Sequence, residues 1–145
     1  MTEFTIAQER KVVTSIPGPK SKELHERRRK AVSNGVGAAL PVYIEKANGA
    51  ILVDVDGNQF IDLGSGIGVV SIGHTNQGVI DAVSAQVAQL THTLFTVTPY
   101  EQYVEVCELL NKHTPGNFEK RSALFNSGSE AVENAVKFAR KFTRR

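Results

Sequence analysis

The stretch Ser122-Ala-Leu-Phe-Asn-Ser-Gly-Ser-Glu-Ala131 limits what this chain can become. An apolar run of strand length ends in four small or polar residues. A helical pattern then begins near Ser129, with Ala131, Ala135, Phe138, Ala139 and Phe142 on one face and Glu133 and Lys137 paired at i,i+4 on another. A strand with one amphipathic helix, without the rest of a sheet, leaves apolar faces uncovered. The first turn of the helix has N–H groups without intrahelical partners and the positive end of the peptide dipole. Two uses of that end fit the residues. Ser127 and Glu130 have capping-box spacing, worth about 1 kcal/mol to the helix. Alternatively, Gly128 permits close backbone approach, and the hydroxyls of Ser127 and Ser129 add donors for an anion such as phosphate. Spacing leaves both open. Neither GxGxxG nor GxxxxGK[ST] occurs, so dinucleotide and P-loop readings have no support.

Upstream, the pattern predicts a small antiparallel meander. Its strands run from Val42 to Glu45, Ile51 to Val55 and Phe60 to Leu63, with turns at Asn48-Gly49 and Asp56-Gly57-Asn58. Asp54, Asp56 and Asp62 read as turn and edge residues. Between Gly64 and Gly73 lie four glycines, too many for a regular strand or packed helix, which predicts a loop that comes close to something. A helix follows over Thr75–Leu90, with the stripe Val79, Ile80, Val83, Val87 and Leu90. Another starts at Pro99 with Thr98 and Glu101 as a capping box, turns Tyr103, Val106, Cys107 and Leu110 inward, and ends at Thr114-Pro-Gly116. Residues 1–22 read as an extended, loosely packed arm and residues 23–31 as a charged helix with a solvated face.

Composition narrows the function classes. With 145 residues, 41% hydrophobic and 22% charged, the chain has the make-up of a soluble folded protein rather than a disordered one. A net charge of +2 gives no footprint for nucleic acid. No apolar run reaches membrane-spanning length, and the first residues lack the apolar core of a secretory signal. A cytoplasmic protein is the expectation, and the single Cys107 permits no internal disulfide. His25, His74, His92 and His113 have no partners at metal-ligand spacing.

Three segments, in order, resemble one family. "VDVDGNQFIDLGSGIGVVSIGH" (53–74), "THTLFTVTPYEQYVEVCELLNKHTPG" (91–116) and "NSGSEAVENAVKFARKFTR" (126–144) are similar to class III (subgroup II) pyridoxal-phosphate-dependent aminotransferases, most of all to members acting on 4-aminobutyrate. The resemblance implies an α/β protein of the fold type I PLP-transferase class, of which this chain holds the N-terminal segment and the first strand and helix of the large domain. Residues 1–37 would be an N-terminal arm and basic helix, 38–75 the meander and glycine-rich loop of the small domain, and 76–145 the start of the large cofactor-binding domain. It implies that Ser127, Gly128 and Ser129 hold the phosphate of pyridoxal 5'-phosphate, and that Ile67 lines the substrate pocket and favours an aliphatic ω-amino acid. Thr96 stands where some relatives carry a Gln near the cofactor. The implied reaction moves the amino group of 4-aminobutyrate to 2-oxoglutarate. Ornithine, acetylornithine or diaminobutyrate are rival donors, and a non-catalytic phosphate-binding or dimerisation module is the rival from another class. Members are homodimers, which makes the Gly64–Gly73 loop a candidate for meeting the partner subunit. No lysine here matches the one that bonds to the cofactor, so no catalytic residue is expected in this segment. The chain is expected to be an N-terminal fragment, inactive alone.

Overall fold

A computed structural model describes residues 4–145, so the first three residues of the expected arm lie outside the described region. The described chain forms two units, one running to Gln89 and the other spanning Leu90–Arg145.

In the first unit, α1 (Pro19–Ala31) precedes a three-stranded antiparallel sheet of β1 (Ile44–Asn48), β2 (Ile51–Asp54) and β3 (Gln59–Ile61) in sequential order. The single-turn α2 (Ser65–Gly68) and the helix α3 (Gln77–Gln89) follow. The meander is as its alternation predicts, but the first turn sits one residue later. Asn48 pairs with Ile51, so the two-residue loop is Gly49-Ala50, and Gly49 alone takes a left-handed φ, 57°. Asn48 stays in the strand because its side chain is used elsewhere. Its amide donates to Phe4 O (3.0 Å) and Thr75 Oγ1 (2.9 Å), and its oxygen accepts from Ile6 N (3.3 Å).

The arm is not loosely packed. Lys11 exchanges two backbone hydrogen bonds with Gln59, adding a bridge beyond β3. Val13 and Thr14 both donate backbone N–H groups to Asn58 Oδ1, at 2.8 and 2.9 Å. Ile51 and Val53 project from one face of β2 into this small core, as the two-residue period of a strand requires. Beside them the buried polar pair Asp54 and Asn58 satisfies itself: Asn58 N and Nδ2 donate to the two Asp54 oxygens at 2.7 and 2.8 Å. Helix α1 begins earlier than the charge pattern suggests, at Pro19. Asp56, from the β2–β3 turn, accepts the N–H groups of Lys20 (2.8 Å) and Ser21 (2.9 Å) and so caps that helix from a distance.

In the second unit, α4 (Glu101–His113) and α5 (Gly128–Thr143) are joined by a loop laid against α4. Leu124 N donates to Tyr103 Oη (2.9 Å), and Ser122 Oγ donates to Asn111 Oδ1 (2.8 Å). The strand expected over Ser122–Phe125 is therefore absent. A strand exists only as part of a ladder, and among the described residues no strand pairs with this segment. The expected Thr98–Glu101 capping box does not form either. Tyr100 is the N-cap without a side-chain bond, and the Thr98 hydroxyl is held by that of Thr93. The start of α4 is instead organised by aromatic rings: Phe95 stacks on Tyr103 with centroids 4.0 Å apart, and Tyr100 meets both edge-on.

No residue of Leu90–Arg145 is buried. Val132, Phe138 and Phe142 of α5 all stand open to solvent, an apolar stripe of the kind that helices cover with other structure. No helix among the described residues is long and apolar enough to cross a membrane.

Candidate functional site

The N-terminus of α5 resolves the two uses of its turn into one arrangement. Ser127 is the N-cap in extended backbone, and its Oγ accepts from Glu130 N at 3.2 Å. The Glu130 carboxylate reaches back to accept from Asn126 N at 2.9 Å. This is a capping box displaced by one residue, and it removes two otherwise orphaned donors. The backbone N–H groups of Ser127, Gly128 and Ser129 keep no partner among the described residues. Ser127 Oγ, while accepting, still has its own proton to donate, and Ser129 Oγ stands exposed with no bond among the described residues. A Cβ placed on Gly128 would have no atom within 4 Å, so the approach to these donors is open. Capping and anion binding thus coexist here. Three N–H groups, two hydroxyls and the positive end of a 16-residue helix are a donor set that fits a phosphate. Glu130 is the opposing element, a carboxylate at the same helix end whose near oxygen is spent on Asn126.

Ile67 belongs to the first unit and lies in an unusual stretch. Ser65, Gly66, Ile67 and Gly68 have φ of 46°, 60°, 64° and 76°, a full left-handed turn. Glycine adopts this region freely, whereas each residue with a Cβ is strained by about 1–2 kcal/mol. A β-branched residue with positive φ is an outlier. Ile67 occupies that position and is 96% exposed.

What surrounds the turn is a carboxylate whose pairing residue-by-residue reading missed. Asp62 Oδ1 accepts from Gly64 N (3.0 Å) and Ser65 N (2.8 Å), and Oδ2 lies 2.7 Å from His74 Nε2. His74 also exchanges both backbone hydrogen bonds with Gly49. At Gly73 a Cβ would come within 3.2 Å of Gly49 O, which explains one of the glycines. The local half of this pattern, an aspartate bonded to N–H groups two and three residues on, is legible in sequence. The histidine twelve residues along is not.

The His74 ring N–H, followed by the N–H groups of Ser65 and Gly64, holds the Asp62 carboxyl below its usual range against the opposing effect of burial. A depressed folded-state value means that this carboxylate stabilises the native loop above the unfolded pKa of about 3.9, and that the contribution is lost as pH falls through the lower folded value. An NMR titration of Asp62 Cγ should therefore show a midpoint below about 3.9, and His74→Ala should move it upward. An unmoved midpoint in the variant would remove His74 as the cause.

The aminotransferase class-III family model matches residues 31–145. A 4-aminobutyrate aminotransferase of Mycobacterium tuberculosis H37Rv is 60% identical over 139 residues, covering 96% of this chain and 31% of the relative. A 5-aminovalerate aminotransferase of Pseudomonas putida KT2440 is 45% identical over 125 residues, covering 86% of this chain and 29% of the relative. Among solved structures, an omega-transaminase from Sphaerobacter thermophilus superimposes with a TM-score of 0.78 at 30% identity, covering 89% of this chain and 30% of that one. The chain spans about a third of the length of the curated relatives it matches.

Proposed function

The chain belongs to the class-III aminotransferase family, and on that premise we propose that it acts as part of a pyridoxal 5'-phosphate-dependent aminotransferase that passes the amino group of 4-aminobutyrate to 2-oxoglutarate, yielding succinate semialdehyde and glutamate. The observation that carries the cofactor assignment is the open start of α5. The N–H groups of Gly128 and Ser129, with the hydroxyls of Ser127 and Ser129, would hold the cofactor's phosphate. Bound there, pyridoxal phosphate would supply the electron sink for amino-group transfer. The residues of the turn anchor and orient. Hydroxyls and amides grip an anion but are poor bases at neutral pH, so the proton that must move during transfer is not theirs to carry.

Ile67 is assigned to the wall of the donor pocket. Its aliphatic face suits the methylene chain of an ω-amino acid, which has no other group for a side chain to bond. The donor assignment draws on the 60% identity to a 4-aminobutyrate enzyme. The rival is a longer or more polar donor, either 5-aminovalerate, on which the Pseudomonas putida relative acts, or an ornithine-type substrate. In this reading residues 76–145 open the cofactor-binding domain, residues 38–75 belong to a smaller one, and residues 1–37 are an arm. The enzyme is a cytoplasmic homodimer whose Gly64–Gly73 loop meets the partner subunit.

The test is a comparison of amino donors in the full-length enzyme with 2-oxoglutarate as acceptor. The expected result is a kcat/KM for 4-aminobutyrate at least about tenfold above that for ornithine, a difference of about 1.4 kcal/mol in transition-state binding. A preference for ornithine overturns the donor assignment. The 145-residue chain assayed alone should show no turnover above that of free cofactor.

A further inference from the structure

The left-handed turn at Ser65–Gly68 needs a cause. Strained backbone of this kind persists only where its surroundings over-determine it. Among the described residues, every side-chain hydrogen bond into the segment from Gly64 to His74 comes from one group, the carboxylate of Asp62. One of its oxygens receives the N–H groups of Gly64 and Ser65, where the segment enters the turn. The other meets the ring of His74, where the segment leaves it. Both anchors are fixed to the sheet. Asp62 N donates to Ala50 O at 2.9 Å, and His74 is bridged to Gly49 on the same hairpin loop. The pair is shielded, with the Asp62 side chain 10% exposed and that of His74 21%, so its charge-assisted bond keeps strength that a surface pair would lose. Ile67 lies in the left-handed turn between these two anchors.

We propose that Asp62 and His74 form a clasp that holds the left-handed turn in place, and that they are positioning residues for the amino donor. By fixing where Ile67 stands they set the enzyme's affinity for the donor without touching it. The second half of this inference rests on Ile67 lining the donor pocket.

The experiment uses the full-length holoenzyme and two substitutions of one residue. His74→Leu keeps the bulk and removes the donor to Asp62. His74→Gln keeps an N–H donor near the position of Nε2. In His74→Leu the KM for 4-aminobutyrate should rise about tenfold while kcat stays within about threefold, the signature of lost uniform binding. Cofactor content should equal that of the parent enzyme. Amide exchange of the peptide spanning residues 62–74, followed by mass spectrometry, should quicken about tenfold in the same variant and return to within about threefold of the parent in His74→Gln, together with KM. Unchanged exchange in His74→Leu overturns the clasp, as does His74→Gln behaving like leucine. Quickened exchange with unchanged KM overturns the positioning role. If His74→Leu does not fold, Asp62→Asn keeps the acceptor for Gly64 and Ser65 and gives His74 a neutral partner. The same paired shifts, smaller in size, are then expected, and their absence overturns the proposal. A parent enzyme that binds cofactor but turns over no ω-amino acid refutes the proposed function instead, while the exchange measurement still decides the clasp.

Discussion

Replacing Gly128 by aspartate should leave α5 as stable as before, or more so, while abolishing retention of pyridoxal phosphate by the full-length enzyme. The two effects have opposite signs because the same helix end favours any negative charge. Gly128 is the first residue of α5, has no left-handed φ, and a Cβ there meets nothing within 4 Å, so an aspartate side chain fits without strain. An acidic group in the first turn stabilises a helix by about 0.3–1 kcal/mol, and replacing glycine with a residue of lower backbone entropy adds up to about 1 kcal/mol. The same carboxylate would stand over the N–H groups of Gly128 and Ser129, where the phosphate would lie. Two unit charges about 4 Å apart in a partly shielded site repel by about 4 kcal/mol, roughly a thousandfold in Kd. Titration of the apoenzyme with pyridoxal phosphate, followed by absorbance, reads the loss, and a thermal melt reads stability. Gly128→Ala separates charge from space, since it adds one methyl group and no repulsion. If Gly128→Asp binds the cofactor as the parent does, the phosphate is held elsewhere and the assignment of Ser127, Gly128 and Ser129 falls.

The legible parts of this chain are those whose determinants are close in sequence. The cap of α5 lies within Asn126–Glu130, and both of its hydrogen bonds join residues three or four apart. The meander follows from alternation and from a glycine that tolerates positive φ. The three aspartates near the turns show where such reading stops. Each stands in or beside a turn, Asp54 as the last residue of β2, and the local bonds exist, such as Asp56 N to Asp54 Oδ1 and Gly64 N to Asp62 Oδ1. Each also has a second, structurally larger task. Asp54 is the buried partner of Asn58, Asp56 caps a helix that begins 37 residues before it, and Asp62 grips His74. Asn48 is the same case, pulled out of its expected turn by bonds to the arm and to Thr75. Local propensity offers several places for a short polar side chain, and the tertiary partner selects one. The segment from Ser122 to Phe125 fails for a related reason. Its residues have strand propensity, but pairing depends on a neighbouring strand, and its backbone is instead held by Tyr103.

Asn58 provides the second large effect. Its side chain is fully buried and uses every hydrogen-bonding position available to it. The oxygen accepts from Val13 N and Thr14 N, and the amide donates to Thr14 Oγ1 (2.9 Å) and Asp54 Oδ2 (2.8 Å). Asn58→Ala leaves a cavity, strips one donor from a buried carboxylate and frees the arm at residues 13 and 14. The bond to the carboxylate alone accounts for about 1.5–3 kcal/mol, and the orphaned partners bring the total to about 3 kcal/mol or more. Against the 5–15 kcal/mol that typically holds a domain together, and with Ile51 and Val53 as the buried apolar residues of this unit, such a loss is severe. Protease cleavage within residues 4–14 should appear under conditions where the parent chain resists it. Asn58→Asp makes the same point with a sign attached. It has nearly the same shape but sets a second carboxylate against Asp54, and two such groups in hydrogen-bond contact cannot both remain ionised. Its deficit relative to the parent should be largest at neutral pH and shrink on acidification below about pH 5, as the pair takes up a shared proton. Urea melts at three pH values give the comparison. A deficit that grows on acidification would mean that position 58 does not face Asp54, and that the arm is tied to the sheet by some other contact.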